Sequence, residues 1–218
     1  MGAGVAAAFA KYSPKETSKA PYIIIIGRSK QSADQVISQM KSLNSQGTYE
    51  FVQGDLTLMT GVRNVAKQVN LKVDKVNFLC MSQGIMTLKT HDDTEEGIDR
   101  KVALHFYSRF LLTSLLMAKL EKAQESGEDA RMLTILTAGR GGPIYENDLG
   151  LKEHKSLKAK MDTALTYNDL MVEELGLRYP KLSFTHAYPG AVNTNILREM
   201  PWYLKMLYVP LSTPNLGT

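Results

Sequence analysis

Apolar runs suited to β-strands alternate along this chain with segments of helical periodicity. Residues 22–26 read Tyr-Ile-Ile-Ile-Ile and are followed by Gly27. A run without a polar face predicts a strand that is buried on both sides, as in a parallel sheet. The next segment predicts a helix, whose apolar face consists of Val36, Ile37, Met40 and Leu43.

The same alternation continues to the last quarter of the chain. Further helices are predicted at residues 3–12, 60–70, 95–123 and 157–177, and further strands at 48–55, 75–85, 131–139 and 182–192. Strands that alternate with helices of this length indicate βαβ crossovers and a parallel sheet covered on both faces. We therefore expect an α/β fold with a doubly wound parallel sheet, formed as one domain by residues 1–218.

Composition narrows the class of protein further. Hydrophobic residues make up 44% of the 218 residues and charged residues 22%, as is typical of globular chains. The 26 basic and 22 acidic residues give a net charge of +4, which suits an anionic ligand but is too small and scattered to indicate nucleic acid binding. No apolar run is long enough for a membrane span, and the N-terminus lacks the basic start of a signal peptide. The single cysteine, Cys80, fits a reducing compartment, so a cytoplasmic location is expected.

Glycine recurs at or just beyond the predicted strand ends, where ligands bind in open α/β sheets. The relevant segments are 27–29, 54–56, 81–84, 137–139 and 189–190. A single glycine at such a place is common in ordinary loops. Glycines near all five strand ends favour a ligand-binding edge there. The run His91-Asp92-Asp93 does not predict a metal site, because consecutive residues rarely converge on one ion.

Four segments of the chain resemble the short-chain dehydrogenase/reductase family. These are VNFLCMSQGIM, the long helix TEEGIDRKVALHFYSRFLLTSLLMAKL, the strand RMLTILTAG and the turn HAYPGAVNT. The resemblance covers nearly the whole chain and implies a Rossmann fold, a bound NAD(H) or NADP(H), and oxidation or reduction of a carbonyl or alcohol. It also implies a homo-oligomer that forms through helix 95–123, although the leucines 111, 112, 115 and 116 serve a core face equally well.

By this resemblance, the cofactor contacts are assigned along the glycine-rich edge. They comprise Gly2, Arg28, Ser29, Asp55, Leu56, Ser82, Gly84, Pro189, Gly190 and Thr194. Arg28 and Ser29 stand where an acidic residue would select NAD(H), so the 2′-phosphate of NADP(H) is favoured. A solvated basic turn is the alternative for these residues.

The catalytic residues depart from the family pattern. The family uses an Asn-Ser-Tyr-Lys set, and this chain has His105 in the Asn slot and Thr137 in the Ser slot. Two registers compete for the Tyr-x-x-x-Lys pair. One places Tyr167 and Met171 in the two slots; the preferred one places Met161 and Leu165 there, on a face with Leu170 that reads as core. The usual proton relay is then absent, which leaves Thr137 and His105 as the candidate catalytic residues.

The start of the chain is the second departure. The family opens with a strand and T-G-x-x-x-G-x-G, of which MGAGVAAAFA matches only the tail. The missing strand lies in the middle of the family's sheet, between the YIIIIG and NFLCMS strands. An N-terminal truncation, with a possible C-terminal one, is expected; a natural short form is the alternative.

Two functions follow from these observations. The first is an NADP(H)-linked oxidoreductase acting on a small apolar carbonyl or alcohol, with residues 195–218 forming a lid-like segment. The second is a non-catalytic nucleotide-binding or scaffold protein of the same ancestry. The missing Tyr-Lys pair favours the second, and the body of the sequence favours the first.

Overall fold

The computed structural model describes residues 1–15 and 19–190, which form five parallel strands in two sheets. The strands are β1 (Tyr22–Gly27), β2 (Thr48–Gln53), β3 (Phe78–Met81), β4 (Arg131–Ile135) and β5 (Ser183–Ala187). One sheet has the order β1-β2 and the other the order β3-β4-β5. All pairs are parallel, so the predicted parallel arrangement is confirmed.

Helices connect the strands as the alternation predicts. The helices are α1 (Gly2–Tyr12), α2 (Lys30–Leu43), α3 (Met59–Lys72), α4 (Arg100–Val102), α5 (Ser108–Glu125) and α6 (Leu157–Arg178). Two of them begin at serine N-caps: Ser29 accepts from the Ser32 amide at α2, and Ser156 accepts from the Ala159 amide at α6. A short 3₁₀ turn, Glu146–Asp148, precedes α6.

Helices cover both faces of the strands, which confirms the doubly wound fold. On one face, Ile23 and Ile25 of β1 pack on a cluster that contains Ala10 of α1, Met40 of α2 and Tyr49 of β2. On the other face, Ile24 and Ile26 pack on the larger core formed with α3, α5 and α6. The four isoleucines alternate between the two cores, because successive side chains in a strand point to opposite faces.

The isoleucines of β1 are only half-buried, although the sequence predicts a fully buried strand. Within residues 1–15 and 19–190, β1 pairs with β2 alone and β3 with β4 alone, so the facing edges of the two sheets do not bond to each other. Both faces of β1 are covered as predicted, but one backbone edge is open. This agrees with the expectation of an unfilled strand position between β1 and β3.

Helix α1 spans the division between the two sheets. Its Phe9 ring lies 4.6 Å, centroid to centroid, from Phe78 of β3, while Ala6 and Ala10 pack on the β1-β2 side. At its start, a Cβ added to Gly2 would lie 2.6 Å from the Ser82 hydroxyl oxygen just after β3. A larger residue at this position would require the Ser82 hydroxyl to move.

A π-helical turn interrupts the predicted long helix. Residues Ala103–Tyr107 form this turn between α4 and α5, and His105 lies in it. In α5, Leu112 and Leu116 are buried in the large core, and Leu111 and Leu115 pack against it. The leucine face is therefore a core face.

Candidate active site

The residues assigned to the cofactor follow the carboxyl ends of the strands. After β1, the Arg28 guanidinium lies 3.9 Å from a carboxylate oxygen of Asp55, which follows β2. Both side chains are about two-fifths exposed. Ser29 uses its hydroxyl as the N-cap of α2. The pair links the ends of two neighbouring strands and leaves Arg28 open to solvent.

Asp55 also organises the turn that leads into α3. One of its carboxylate oxygens accepts from the Thr57 amide at 2.9 Å and from the Thr57 hydroxyl at 2.8 Å. Leu56, between them, is buried in the large core. The turn after β2 is therefore held by its own side chains.

The segment after β3 meets two other parts of the chain. Ser82 is half-buried and lies against Gly2 at the start of α1. Gly84 lies next to the His105 imidazole, since a Cβ at Gly84 would be 3.3 Å from Nε2. Gly2 and Ser82 are thus in contact, and Gly84 follows two residues later against His105.

His105 is enclosed by this segment and is neutral at physiological pH. Its side chain is buried, and Nε2 accepts from the Ile85 amide at 3.2 Å. Burial, followed by the charge of Arg109, lowers the pKa of His105 from 6.5 to about 4. The Nε2 lone pair of His105 is already used by the Ile85 amide, and its cationic form is disfavoured. These properties fit a residue that positions the loop, and they fit a proton donor less well.

Thr137 lies half-buried in the loop after β4. Its carbonyl oxygen accepts from the Arg140 amide at 3.4 Å. Two side chains of α6 hold this loop: Asp169 accepts from the Gly139 amide at 3.2 Å, and the Thr166 hydroxyl bonds both the amide and the carbonyl of Gly142. Gly139 has a φ of +69°, a conformation that favours glycine.

The last predicted cofactor contacts follow β5. Pro189 and Gly190 are exposed, and Gly190 has a φ of +72°. Thr194 and the lid-like segment 195–218 lie outside the described residues.

Neither register supplies both members of a Tyr-Lys pair. In the preferred register, Leu165 is buried and Met161 is 37% exposed. In the other, Met171 is buried in the core, and the Tyr167 hydroxyl donates to the Leu149 carbonyl at 3.1 Å. Burial raises the pKa of Tyr167, so this phenol is a poor acid. The predicted core face was partly wrong, because Met161 and Leu170 are exposed.

A fully buried arginine, Arg109 of α5, lies beneath this edge. Its guanidinium donates to the hydroxyl of Thr134 at 2.5 Å and to the carbonyl oxygens of Gln83 and Ile135 at 2.5 and 3.1 Å. Thr134 also bonds Asn168 of α6 at 3.1 Å. The cation is thus dispersed over backbone carbonyls and a hydroxyl, which fixes α5, the two strand ends and α6 relative to one another.

A second buried charge cluster ties the loop after β3 to α6. Lys160 donates to Asp99 at 2.6 Å and to the Thr90 carbonyl at 2.7 Å. Lys101 donates to the Lys89 carbonyl at 2.5 Å, and its ammonium lies 3.8 Å from Asp99. Burial lowers the pKa of Lys101. These contacts hold the loop against α6.

The sequence reasoning missed both clusters and a histidine–aspartate pair. His186 of β5 contacts Asp169 of α6 through Nδ1 at 2.6 Å. One signal was available for Arg109: it stands three and seven residues before Leu112 and Leu116, on the core face of a helix. No comparable sequence signal marks His186, because its partner is set by how β5 packs on α6.

The short chain dehydrogenase family model matches residues 2–130. This is more than half of the chain, so the chain belongs to the short-chain dehydrogenase/reductase family. The match extends from Gly2 to the residue before β4 and includes the ends of β1, β2 and β3.

Curated relatives carry oxidoreductase names. "Oxidoreductase AN1596" of Emericella nidulans is 33% identical over 193 residues, covering 88% of this chain and 55% of the relative. Human "Polyprenol dehydrogenase" is 24% identical over 196 residues, covering 85% of this chain and 57% of the relative. The chain therefore spans about half the length of these relatives.

Solved structures show the same fold. A short-chain dehydrogenase from Sphingobium yanoikuyae in complex with NADPH superposes with a TM-score of 0.67 at 18% identity, covering 91% of this chain and 70% of the other. This likeness confirms the Rossmann fold. Within the described residues, no helix has the length and apolarity to cross a bilayer.

Proposed function

We propose that the chain is an oxidoreductase that uses NADP(H) to interconvert a small apolar alcohol and its carbonyl. The observation that carries the proposal is the position of Arg28, a half-exposed guanidinium directly after β1 on the edge where ligands bind in parallel sheets. An arginine at this position suits a 2′-phosphate.

The described residues fit a dinucleotide at this edge. Helix α1 begins at Gly2, packed on Ser82, and its first turn has no acidic residue, so its positive end is free to attract phosphate. Asp55 and Ser82 supply polar groups for an adenosine, and Arg28 supplies charge for the 2′-phosphate. The cofactor, when bound, supplies the hydride acceptor or donor.

Thr137 is the residue of this chain that we assign to the reacting carbonyl or hydroxyl. Its hydroxyl lies on a loop fixed by Asp169 and Thr166, and a fixed donor stabilises charge better than a mobile one. His105 contributes as a neutral group that supports the segment of Gly84.

Apolar substrates are supported by the family relative named for polyprenol oxidation, and by the exposed Met161 near the start of α6. The alternative of a non-catalytic scaffold finds no support in these relatives, whose names are those of oxidoreductases. Cys80 as the single cysteine supports a reducing, cytoplasmic location. The exposed Phe110 on α5 is a candidate contact for a second copy.

Fluorescence titration with NADPH and NADH tests the cofactor assignment. Arg28→Ala is expected to weaken NADPH binding about tenfold, while NADH binding changes less than about twofold, because only NADPH carries the 2′-phosphate. Arg178→Ala is the matched control, since Arg178 is an exposed arginine paired with Glu174 within α6. Equal losses for both nucleotides would refute the 2′-phosphate assignment, and millimolar binding of both would refute a cofactor role.

Steady-state assays on a panel of apolar alcohols with NADP⁺ test the reaction. Thr137→Val is expected to lower kcat/KM at least tenfold, and Thr137→Ser to retain most of it, because the serine keeps the hydroxyl. If Thr137→Val retained full activity, the assignment of Thr137 would be wrong.

A further inference from the structure

One buried polar atom in the described part of the chain has no hydrogen-bond partner, and it is Nε2 of His186. The side chain of His186 is 2% exposed. Buried polar atoms almost always have a partner, which is either protein or an ordered small molecule. The atom therefore points to an occupant that the described residues do not supply.

Asp169 determines which nitrogen of His186 is open. A carboxylate of Asp169 lies 2.6 Å from Nδ1, and an ionised carboxylate only accepts, so Nδ1 carries the proton. Asp169 is itself held by the Gly139 amide at 3.2 Å. Nε2 is consequently the bare nitrogen and acts as an acceptor. The same use of aspartate to fix an imidazole tautomer is known from hydrolytic triads.

The groups that face His186 disfavour the protonated form of its ring. Burial lowers the pKa of His186; Asp169 of α6 opposes this effect, and the Arg109 charge of α5 adds to it. On β4, the neighbour in register is Thr134, which is uncharged and bonds Arg109 and Asn168. A neutral acceptor beside a buried cation suits an uncharged donor.

A metal ion is a poor occupant for this place. Among residues 1–15 and 19–190, no group of three or more His, Cys, Asp or Glu side chains is placed to hold one. The Asp169 oxygen nearest the ring is also engaged by Nδ1. A small O–H donor carries no charge that neighbouring acidic side chains would have to balance.

We propose that Nε2 of His186 binds one small O–H donor, which is a water molecule or the hydroxyl of a small alcohol. His105 provides the internal comparison. Its side chain is also buried, but its Nε2 accepts from the Ile85 amide. The two buried histidines therefore differ in whether the protein fills the acceptor.

The site adjoins the loop that carries Thr137. Asp169 bonds both His186 and the Gly139 amide, two residues after Thr137. A molecule bound at Nε2 of His186 affects the orientation of Asp169 and, through Asp169, the loop that carries Thr137. The proposal stands on geometry alone and does not depend on the cofactor assignment.

Nitrogen-15 NMR of the full chain tests the site, because the sequence has only four histidines. His186→Leu assigns the His186 ring signals. Long-range proton–nitrogen spectra are expected to show a protonated Nδ1 and a bare Nε2 on His186. Magnetisation transfer is expected between water and the His186 ring protons that flank Nε2, and not for the His105 ring.

Titration with 2-propanol distinguishes the two sources of the O–H group. Loss of the water contact together with a shift of the His186 Nε2 signal shows that an alcohol occupies the site. An unchanged water contact shows that water is the occupant. A protonated Nε2, or the absence of both the water contact and an alcohol response, overturns the proposal.

Asp169→Asn tests the role of the carboxylate. The variant is expected to allow the other tautomer of His186 and to weaken the water contact, because an amide no longer demands a proton on Nδ1. Asp162→Asn is the matched control on the same helix, where Asp162 pairs with Lys158. An unchanged His186 tautomer in folded Asp169→Asn would contradict the assigned role of Asp169.

Discussion

The two sheets of this protein hold their helices in different ways. The sheet of β1 and β2 packs on α1 and α2 through apolar side chains, with Ala10 and Met40 fully buried. The sheet of β3, β4 and β5 shares a large apolar core but also buries polar and charged groups against α5 and α6. These include Arg109, Thr134, Asn168, His105 and His186.

The two kinds of contact differ in how precisely they fix the strands relative to the helices that pack on them. Apolar packing fixes how far apart two elements lie, and it tolerates small slips. A buried guanidinium with several acceptors allows only one arrangement, because any slip leaves a polar group without a partner. The sheet that carries Thr137 is the one fixed in this way.

Arg109→Met is expected to lower the free energy of unfolding more than any other change proposed for the two sheets. A small loss would mean that the two sheets do not differ in how they are held. The change leaves the carbonyl oxygens of Gln83 and Ile135 and the Thr134 hydroxyl without their donor. We expect a loss of about 4 kcal/mol in the free energy of unfolding, measured with urea. Arg131→Met, at an exposed arginine, is expected to stay within about 0.5 kcal/mol. A loss below about 1 kcal/mol for Arg109→Met would contradict the structural role of the buried cation.

Met40→Ala tests the apolar packing of the β1-β2 sheet. Met40 is fully buried between α2 and the β1-β2 sheet, so its truncation leaves a cavity and is expected to cost about 3 kcal/mol by urea unfolding. Met132→Ala in β4, equally buried, is expected to cost a similar amount, because apolar packing is common to both sheets. A much smaller cost at Met40 than at Met132 would show that the β1-β2 half is loosely packed.

The pH dependence of stability is expected to be the smallest of the three effects. It arises from buried polar groups that pack with the β3-β4-β5 sheet. The pKa of His105 is lowered from 6.5 to about 4, so the unfolded state binds more protons between these values. Stability is therefore complete above pH 6.5 and is lost as the pH falls toward 4, by about 2 kcal/mol between pH 8 and pH 5. Burial lowers the pKa of His186 as well, which acts in the same direction.

His105→Gln isolates the contribution of His105 to this pH dependence. Glutamine keeps an oxygen acceptor for the Ile85 amide but has no titrating group. The variant is expected to lose about 2 kcal/mol less than the parent protein between pH 8 and pH 5 in urea unfolding curves. Identical pH dependence in the two proteins would show that folding does not lower the pKa of His105.

Much of the fold followed from the sequence because periodicity reports which face of an element is apolar. The isoleucines of β1 and the helix from Val36 to Leu43 are examples, and both lie where they were predicted. The family pattern also predicted the edge that carries Arg28, Asp55 and Ser82. The π-helical turn at His105 was not predicted, since a run of apolar and aromatic residues is compatible with an ordinary helix.

The buried polar contacts between the β3-β4-β5 sheet and helices α5 and α6 could not be predicted from the sequence, and the reason is physical. The terminal nitrogens of Arg109 bond residues 25 to 28 positions away, and the contact of His186 with Asp169 joins a strand to a helix. Hydrogen-bond partners across elements depend on the final packing, and a single sequence holds no periodic signal for them. The partial exposure of Met161 and Leu170 has the same origin, because it depends on what covers α6.

The open edge of β1 has a consequence for handling the protein at high concentration. Every second residue of the isoleucine run directs its backbone amide and carbonyl to that edge, where no described strand satisfies them. Such an edge is a template on which another chain can add a strand, and branched aliphatic residues strengthen that pairing. Intermolecular strand addition at residues 23–26 is thus the expected route by which this chain self-associates when purified alone.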